Sequence, residues 1–197
     1  MSIRNGIKKG SRIVVDPIRK KKDIKSISRL LQSNPRNYLL WVMGINNGIR
    51  TNDLVRLRYN QMEGLKAGAV IKIVESKTGK TNVLVINKSV NKALQQYIKE
   101  INPVSGDYIF KSRKGNSHIS SQSVGRLIRS WTSAINLKGQ YGAHTLRKTW
   151  GYHQRVYYGV GYELICKRYN HSNPAVTMRY LGIEDKEVTD MLMNEIG

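Results

Sequence analysis

One short stretch of this chain breaks step with everything around it. Apolar residues recur elsewhere at helical spacing. Val70, Ile71, Ile73 and Val74, however, lead into the turn Ser76-Lys77-Thr78-Gly79-Lys80-Thr81 and are answered by Val83, Leu84, Val85 and Ile86. That pattern predicts a β-hairpin, and nothing else in the sequence offers it a further strand. Helices are expected on either side. Asp23 caps Ile24 to Leu31, and Asn34-Pro35 starts a helix through Met43 that Asn46-Asn47-Gly48 stops. Further helical patterns cover Asn52–Leu57, Val90–Ile98, Ser123–Ile135, Thr145–Tyr158, Glu163–Tyr169 and Pro174–Leu181. Several helices around one small sheet define an α+β, mainly helical domain with the hairpin at one edge.

Charge narrows the partner. The 197 residues carry 34 Lys plus Arg against 13 Asp plus Glu, a formal net charge of +21. An excess of that size on a folded domain points to a polyanion. Residues 1–22 hold eight basic side chains and one acid, Asp16, and read as an extended, solvated arm able to lie along phosphates. Residues 23–183 form the expected domain. Residues 184–197 are acidic, with Val188, Met191, Leu192 and Ile196 at helical spacing, so a tail helix is expected to dock either on its own body or on a neighbour's. A lone cysteine, Cys166, leaves no disulfide framework or CxxC-type zinc site. No apolar run spans a membrane, and the basic N-terminus lacks the apolar core of a secretory signal.

Several kinds of chemistry find no support. Gly79-Lys80-Thr81 resembles the end of a phosphate loop, but Val74 stands where the first glycine belongs. His118, His144, His153 and His171 form no i,i+4 pair and have no carboxylates arranged as co-ligands, so neither a metal nor a cofactor is expected. What remains is a scattered set of cations and one tyrosine. Arg50 precedes a helix start, with Asp53 three residues on and in reach to fix its guanidinium. His144 and Arg147 share one helix face. His171 precedes the helix start Asn173-Pro174, and Tyr180 lies near the end of that short helix.

Taken in order, these residues resemble the tyrosine recombinase, or phage integrase, family. The matching stretches are NNGIRTNDLVRL (Arg50 with Asp53), ESKTGKTNVLVI (Lys77), AHTLRKTW (His144 and Arg147) and NHSNPAVTMRYLGI (His171 and Tyr180). The match runs from about residue 23 to residue 183, the extent of a catalytic domain in that family. Two positions depart from its pattern: Asn170 replaces the usual glycine before the second histidine, and Asp53 replaces the more common glutamate. Asn tolerates a left-handed backbone, so the turn survives.

The resemblance implies a site-specific DNA recombinase that cleaves and rejoins strands through a 3′-phosphotyrosine, without metal or ATP. Arg50 and Arg147 would hold the scissile phosphate, His171 would donate to it, and Tyr180 would attack. His144 would take the phenolic proton and Lys77 would protonate the leaving 5′ oxygen, with Lys80 as the alternative acid in the same turn. Other cations, among them Lys111, Arg126, Arg129, Lys148 and Arg168, would contact flanking phosphates. The expected partners are double-stranded DNA and further copies of the chain, a tetramer held through the C-terminal tail, in a cytoplasmic, nucleoid-associated setting. Family members usually add an N-terminal DNA-clamping domain, for which residues 1–22 are too short, so a fragment or a minimal member is expected. Two rivals remain: a type IB topoisomerase, in which Lys tends to replace His144, and a catalytically silent DNA-binding regulator derived from an integrase.

Overall fold

The structure, a computed structural model, describes residues 14–113 and 115–196, excepting the side chains of 184–186. Helix α2 (Pro35–Asn47) is its axis. The Asn34 side chain accepts from Asn37 N at 3.1 Å and Pro35 fills the first turn. Gly48 ends the helix in the left-handed conformation at φ 59°, where a β-carbon would also meet the Trp150 ring at 2.5 Å. Leu39, Leu40, Trp41, Val42 and Met43 are buried in succession, so the helix is covered on every side. Around it pack α1 (Lys21–Leu31), α4 (Lys88–Ile101) and α6 (His144–Tyr158). Trp41 donates its indole N–H to Ser28 Oγ on α1 at 3.0 Å and meets Trp131 of α5 (Ser121–Ala134) edge-on.

Strands β1 (Val70–Val74) and β2 (Thr81–Val85) pair antiparallel in the register Val70↔Val85, Lys72↔Val83, Val74↔Thr81. Ile71, Ile73 and Leu84 face the core while Val70, Val74, Val83 and Val85 face out. Asn47 Oδ1 accepts from Val85 N at 2.8 Å, which fastens the hairpin to the end of α2. Short α3 (Thr51–Val55) follows α2 after a two-residue turn and its N-cap, Arg50. The chain closes with α7 (Tyr162–Tyr169), α8 (Pro174–Leu181) and α9 (Glu184–Leu192). Tyr152 of α6, Tyr162, Ile165, Tyr169, Leu181 and Ile183 form a second, smaller apolar cluster beneath α7 and α8.

The described residues are thus mainly helical with one two-stranded antiparallel sheet. Helix limits move by up to four residues from the sequence expectation: α2 runs on to Asn47, and α1 starts at Lys21, with Asp23 in its first turn, where a carboxylate still favours the helix dipole. Of the expected basic arm, residues 1–13 lie outside the described residues. Residues 16–18 are not solvated arm: Ile18 is fully buried, its N–H donates to Thr149 Oγ1 at 2.9 Å, and Asp16 N donates to Gln140 O at 2.6 Å. The basic residues nearby mask an apolar anchor, Pro17-Ile18.

The tail does form a helix, and it touches α8. Its grip on the body is polar, through Glu187 with Arg155 and with the Tyr162 hydroxyl at 2.8 Å. The apolar stripe is left uncovered: Val188, Met191, Leu192 and Ile196 are all exposed. No helix among the described residues is long and apolar enough to cross a membrane.

Candidate active site

The left-handed turn at Gly48 places Arg50 at the N-cap of α3, its side chain running between the hairpin and α7. Its Nη1 pairs with Glu75, which is 1% exposed, and its Nη2 lies 3.5 Å from Tyr169 O. Asp53 does not hold this guanidinium. Asp53 Oδ1 instead accepts from Ser76 N at 2.9 Å and Ser76 Oγ at 2.7 Å, so the expected buttress props the hairpin turn beside Lys77. The reason is geometric: one turn of α3 carries the shorter side chain to the base of the hairpin, and Glu75 fills the space behind Arg50. Donors from Asn82 and Thr78, with Arg50 itself, outweigh the burial that would raise Glu75's pKa and bring it down to about 2. It is ionised throughout the neutral range.

Arg147 is 2% exposed and anchored from behind. Its Nη1 donates to Gly48 O at 3.0 Å and its Nη2 to Tyr169 O at 2.6 Å, with the Tyr169 ring face 4.3 Å from Cζ. Burial lowers its pKa, and a guanidinium remains charged all the same. The Tyr169 carbonyl therefore faces both arginines. Asn170 follows in the left-handed region at φ 52°, closing α7 where glycine is usual. That turn aims His171, whose Nδ1 lies 2.9 Å from the buried Thr177 hydroxyl. Burial, then Arg147 and Arg50, push the imidazole down to about 4, so the ring is neutral at pH 7. His144 stands exposed at the first turn of α6; the protein mass on its inner side, then Arg147, Lys148, Lys77 and Arg50, lower its pKa as well.

Tyr180 sits behind these groups. Its ring meets Tyr169 and His171 edge-on, each at a centroid distance of 5.4 Å, and Lys148 Nζ stands 5.0 Å above its face. The hydroxyl is buried and has no hydrogen-bond partner among the described residues. Burial raises its pKa to about 12, against the opposing pull of Arg147 and Arg50.

Arg50, Lys77, His144, Arg147, His171 and Tyr180, from four separate stretches of chain, line one cavity of about 640 Å³. Lys148, Arg179, Val14, Val15 and Val176 complete its wall; Lys80 is not part of it. Among the described residues no three His, Cys, Asp or Glu side chains gather as metal ligands.

The family model described as "Phage integrase family" matches residues 19–187. The chain belongs to the phage integrase family. A "Probable integrase/recombinase YoeC" of Bacillus subtilis (strain 168) is 34% identical over 175 residues, 87% of this chain and 92% of that protein. A "Tyrosine recombinase" of Pseudothermotoga lettingae is 26% identical over 86% of this chain but 57% of its own length, so the chain spans little more than half of that relative. Among solved structures, the XerA recombinase superposes with a TM-score of 0.74 at 19% identity, covering 92% of this chain and 67% of that one. A lambda integrase dimer bound to a COC′ core site gives 0.64 at 16%, covering 86% and 49%. These chains share the fold of this phage integrase family member, a tyrosine-type recombinase.

Sequence reasoning missed Glu75, although a signal was present. Alternation along β1 places residues 71, 73 and 75 on the inward face, and an inward carboxylate demands a partner. It also misplaced Arg168. That guanidinium does not face outward to phosphates; it donates to Asn47 O, Asn82 Oδ1 and Val83 O. Nothing in the local sequence distinguishes Arg168 from its solvated neighbour Lys167.

Proposed function

We propose that this chain is the catalytic unit of a site-specific DNA recombinase that cleaves and rejoins strands through a 3′-phosphotyrosine on Tyr180. The observation that carries this reading is the convergence of two anchored arginines, two histidines, a hairpin lysine and one phenol on a single cavity. Arg50 and Arg147, held by Glu75 and by backbone carbonyls, present fixed positive charge to the non-bridging oxygens of a scissile phosphate. No reorganisation is then needed as charge builds in the transition state. His171 is neutral; with Nδ1 taking the Thr177 hydroxyl proton as a hydrogen bond, its Nε2–H donates to the same phosphate.

The Tyr180 oxygen attacks phosphorus while His144, whose lowered pKa keeps it unprotonated, accepts the phenolic proton. The bond from phosphorus to the 5′ oxygen breaks, and Lys77 delivers a proton to that oxygen. Reversal by another strand's 5′ hydroxyl restores the phosphodiester and frees Tyr180. The phosphotyrosine conserves the bond energy, so no nucleotide is consumed. The Tyr180 hydroxyl is sheltered without DNA, so a small displacement of α8 accompanies attack. The partners under this reading are double-stranded DNA and further copies of the chain, the exposed apolar stripe of α9 docking on the next copy in a tetramer.

Nicked suicide duplexes built from the DNA flanking the gene test the chemistry. The expected result is a covalent adduct, mapped by mass spectrometry to Tyr180 and formed equally in EDTA. Retarded DNA with no adduct on any such duplex would favour a silent DNA-binding regulator.

A further inference from the structure

The arginines of the cavity are held by one chain of polar contacts that runs away from the cavity and ends on α7. Glu75, on Arg50, has a second oxygen, Oε1, which accepts from Asn82 Nδ2 at 2.9 Å. Asn82 lies on β2, on the inward face, and is 8% exposed. Its other amide atom, Oδ1, accepts from Arg168 Nη1, and its Nδ2 also lies 3.3 Å from Arg168 O. Arg168 Nε donates to Asn47 O at 2.8 Å, three residues before Arg50, and its Nη2 reaches the same carbonyl. The next residue, Tyr169, offers the carbonyl that faces Arg50 and Arg147 together.

A partly buried arginine bound to three carbonyl-type oxygens on two elements, α2 and β2, does more than fill space. Among the described residues no carboxylate lies within ion-pair distance of Arg168. Its charge is compensated by oriented dipoles from two segments that carry part of the cavity, the end of α2 before Arg50 and the hairpin of Lys77, while its own carbonyl accepts from Asn82 in the turn before His171. An ordinary surface arginine would have no reason to give up solvent for that arrangement.

We propose that Arg168 and Asn82 are positioning residues which, through Glu75, lock Arg50 in register with Arg147 and couple the hairpin to the turn bearing His171. This rests on the function proposed above for the cavity, but the placement of Arg50 can be read without it. Asn82→Asp is the sharpest variant. It keeps volume and the acceptor for Arg168, yet removes the donor to Glu75 and sets a second carboxylate against it. Arg168→Lys keeps the charge but cannot reach three acceptors at once.

Two measurements on the full chain test the link. In arginine side-chain 15N spectra without DNA, Arg50 should show restrained rotation about Nε–Cζ in the wild type and lose it in Asn82→Asp and Arg168→Lys. In single-turnover cleavage of the suicide duplex, both variants should lower the saturating rate constant roughly 10- to 100-fold while the half-saturating DNA concentration changes less than about threefold. Asn82→Asp combined with Glu75→Gln should be no slower than the slower single variant, since both act on one contact. Arg50 that stays restrained in folded Asn82→Asp and Arg168→Lys proteins, judged by thermal melting, overturns the link. So does a wild-type saturating rate in those variants. Wild-type protein with restrained Arg50 that forms no adduct would instead overturn the proposed function and leave the link standing.

Discussion

The body around α2 and the layer under α7 and α8 are packed from different materials. Leu39, Leu40, Met43, Leu84, Ile86 and Leu94 fill the first, each fully buried, with helices crossing on every side. The second rests on Tyr152, Tyr162 and Tyr169 with a few aliphatic neighbours, and several of its contacts are hydrogen bonds, as from Tyr169 Oη to Arg147 O at 2.6 Å. Arg50 and Lys77 belong to the body, His171 and Tyr180 to the layer, and α6 threads both, carrying His144 and Arg147. The contrast matches the division of labour proposed for the site. Arg50, proposed to receive the phosphate, sits on the larger, aliphatic foundation, and the proposed nucleophile Tyr180 sits with His171 on the smaller one, at the end of an eight-residue helix.

The largest expected effect separates the two most sharply. Tyr180→Phe removes a hydroxyl that bonds none of the described residues, so the adduct should vanish while the melting temperature and DNA retardation stay at wild-type values. A marked loss of stability would mean the hydroxyl is structural.

Paired glycine substitutions come next. An alanine at Gly151 would put Cβ 2.1 Å from Tyr169 Oη and 2.9 Å from Leu181, inside the layer; one at Gly44 would meet Leu146 Cδ1 at 2.6 Å, inside the body. Each overpacks and should destabilise by about 1–3 kcal/mol. Only Gly151→Ala displaces the residue whose carbonyl faces both arginines, so it alone should slow adduct formation, by about 100-fold. Equal slowing by the two substitutions, measured at a temperature where both proteins are folded, would show that body and layer do not act separately.

Titration gives a smaller effect. His171 has a folded-state pKa of about 4, below its unfolded value, so the unfolded chain binds the extra proton first. The associated stability is present above about pH 6.5 and is lost as the pH falls toward 4. The ring is partly solvated, so the loss is about 1 kcal/mol after screening. Urea melts at pH 7.5 and 4.5 should differ by less in His171→Asn than in the wild type.

The smallest effects belong to the tail. Glu187→Gln weakens its contacts with Arg155 and Tyr162 and should lower stability by under about 1 kcal/mol. Met191→Ser, on the exposed stripe, should change stability by less than about 0.5 kcal/mol yet reduce self-association on DNA, as read by sedimentation.

Most of the architecture was legible because its signals are local. Asn34-Pro35, Gly48, the strand alternation and Asn173-Pro174 each act over a few residues, and the elements they predict are present. Six of the cavity-lining residues, Arg50, Lys77, His144, Arg147, His171 and Tyr180, could be nominated by family pattern, since type and order survive where overall identity is low. What failed was the identity of partners across space. Nearness in sequence pairs Asp53 with Arg50, whereas the hairpin brings Glu75 there from twenty-five residues away. Arg168 looked solvated because nothing local reveals that three carbonyl-type oxygens converge on it.

One oxygen, the carbonyl of Tyr169, lies between two guanidiniums that the chain supplies from positions nearly a hundred residues apart. Their separation is thus calibrated by a single peptide unit. Under the proposed function, neither cation can be retuned for a different phosphate geometry without detuning the other, so new target preferences would have to arise at the periphery of the DNA footprint, with the reacting centre left as a fixed gauge.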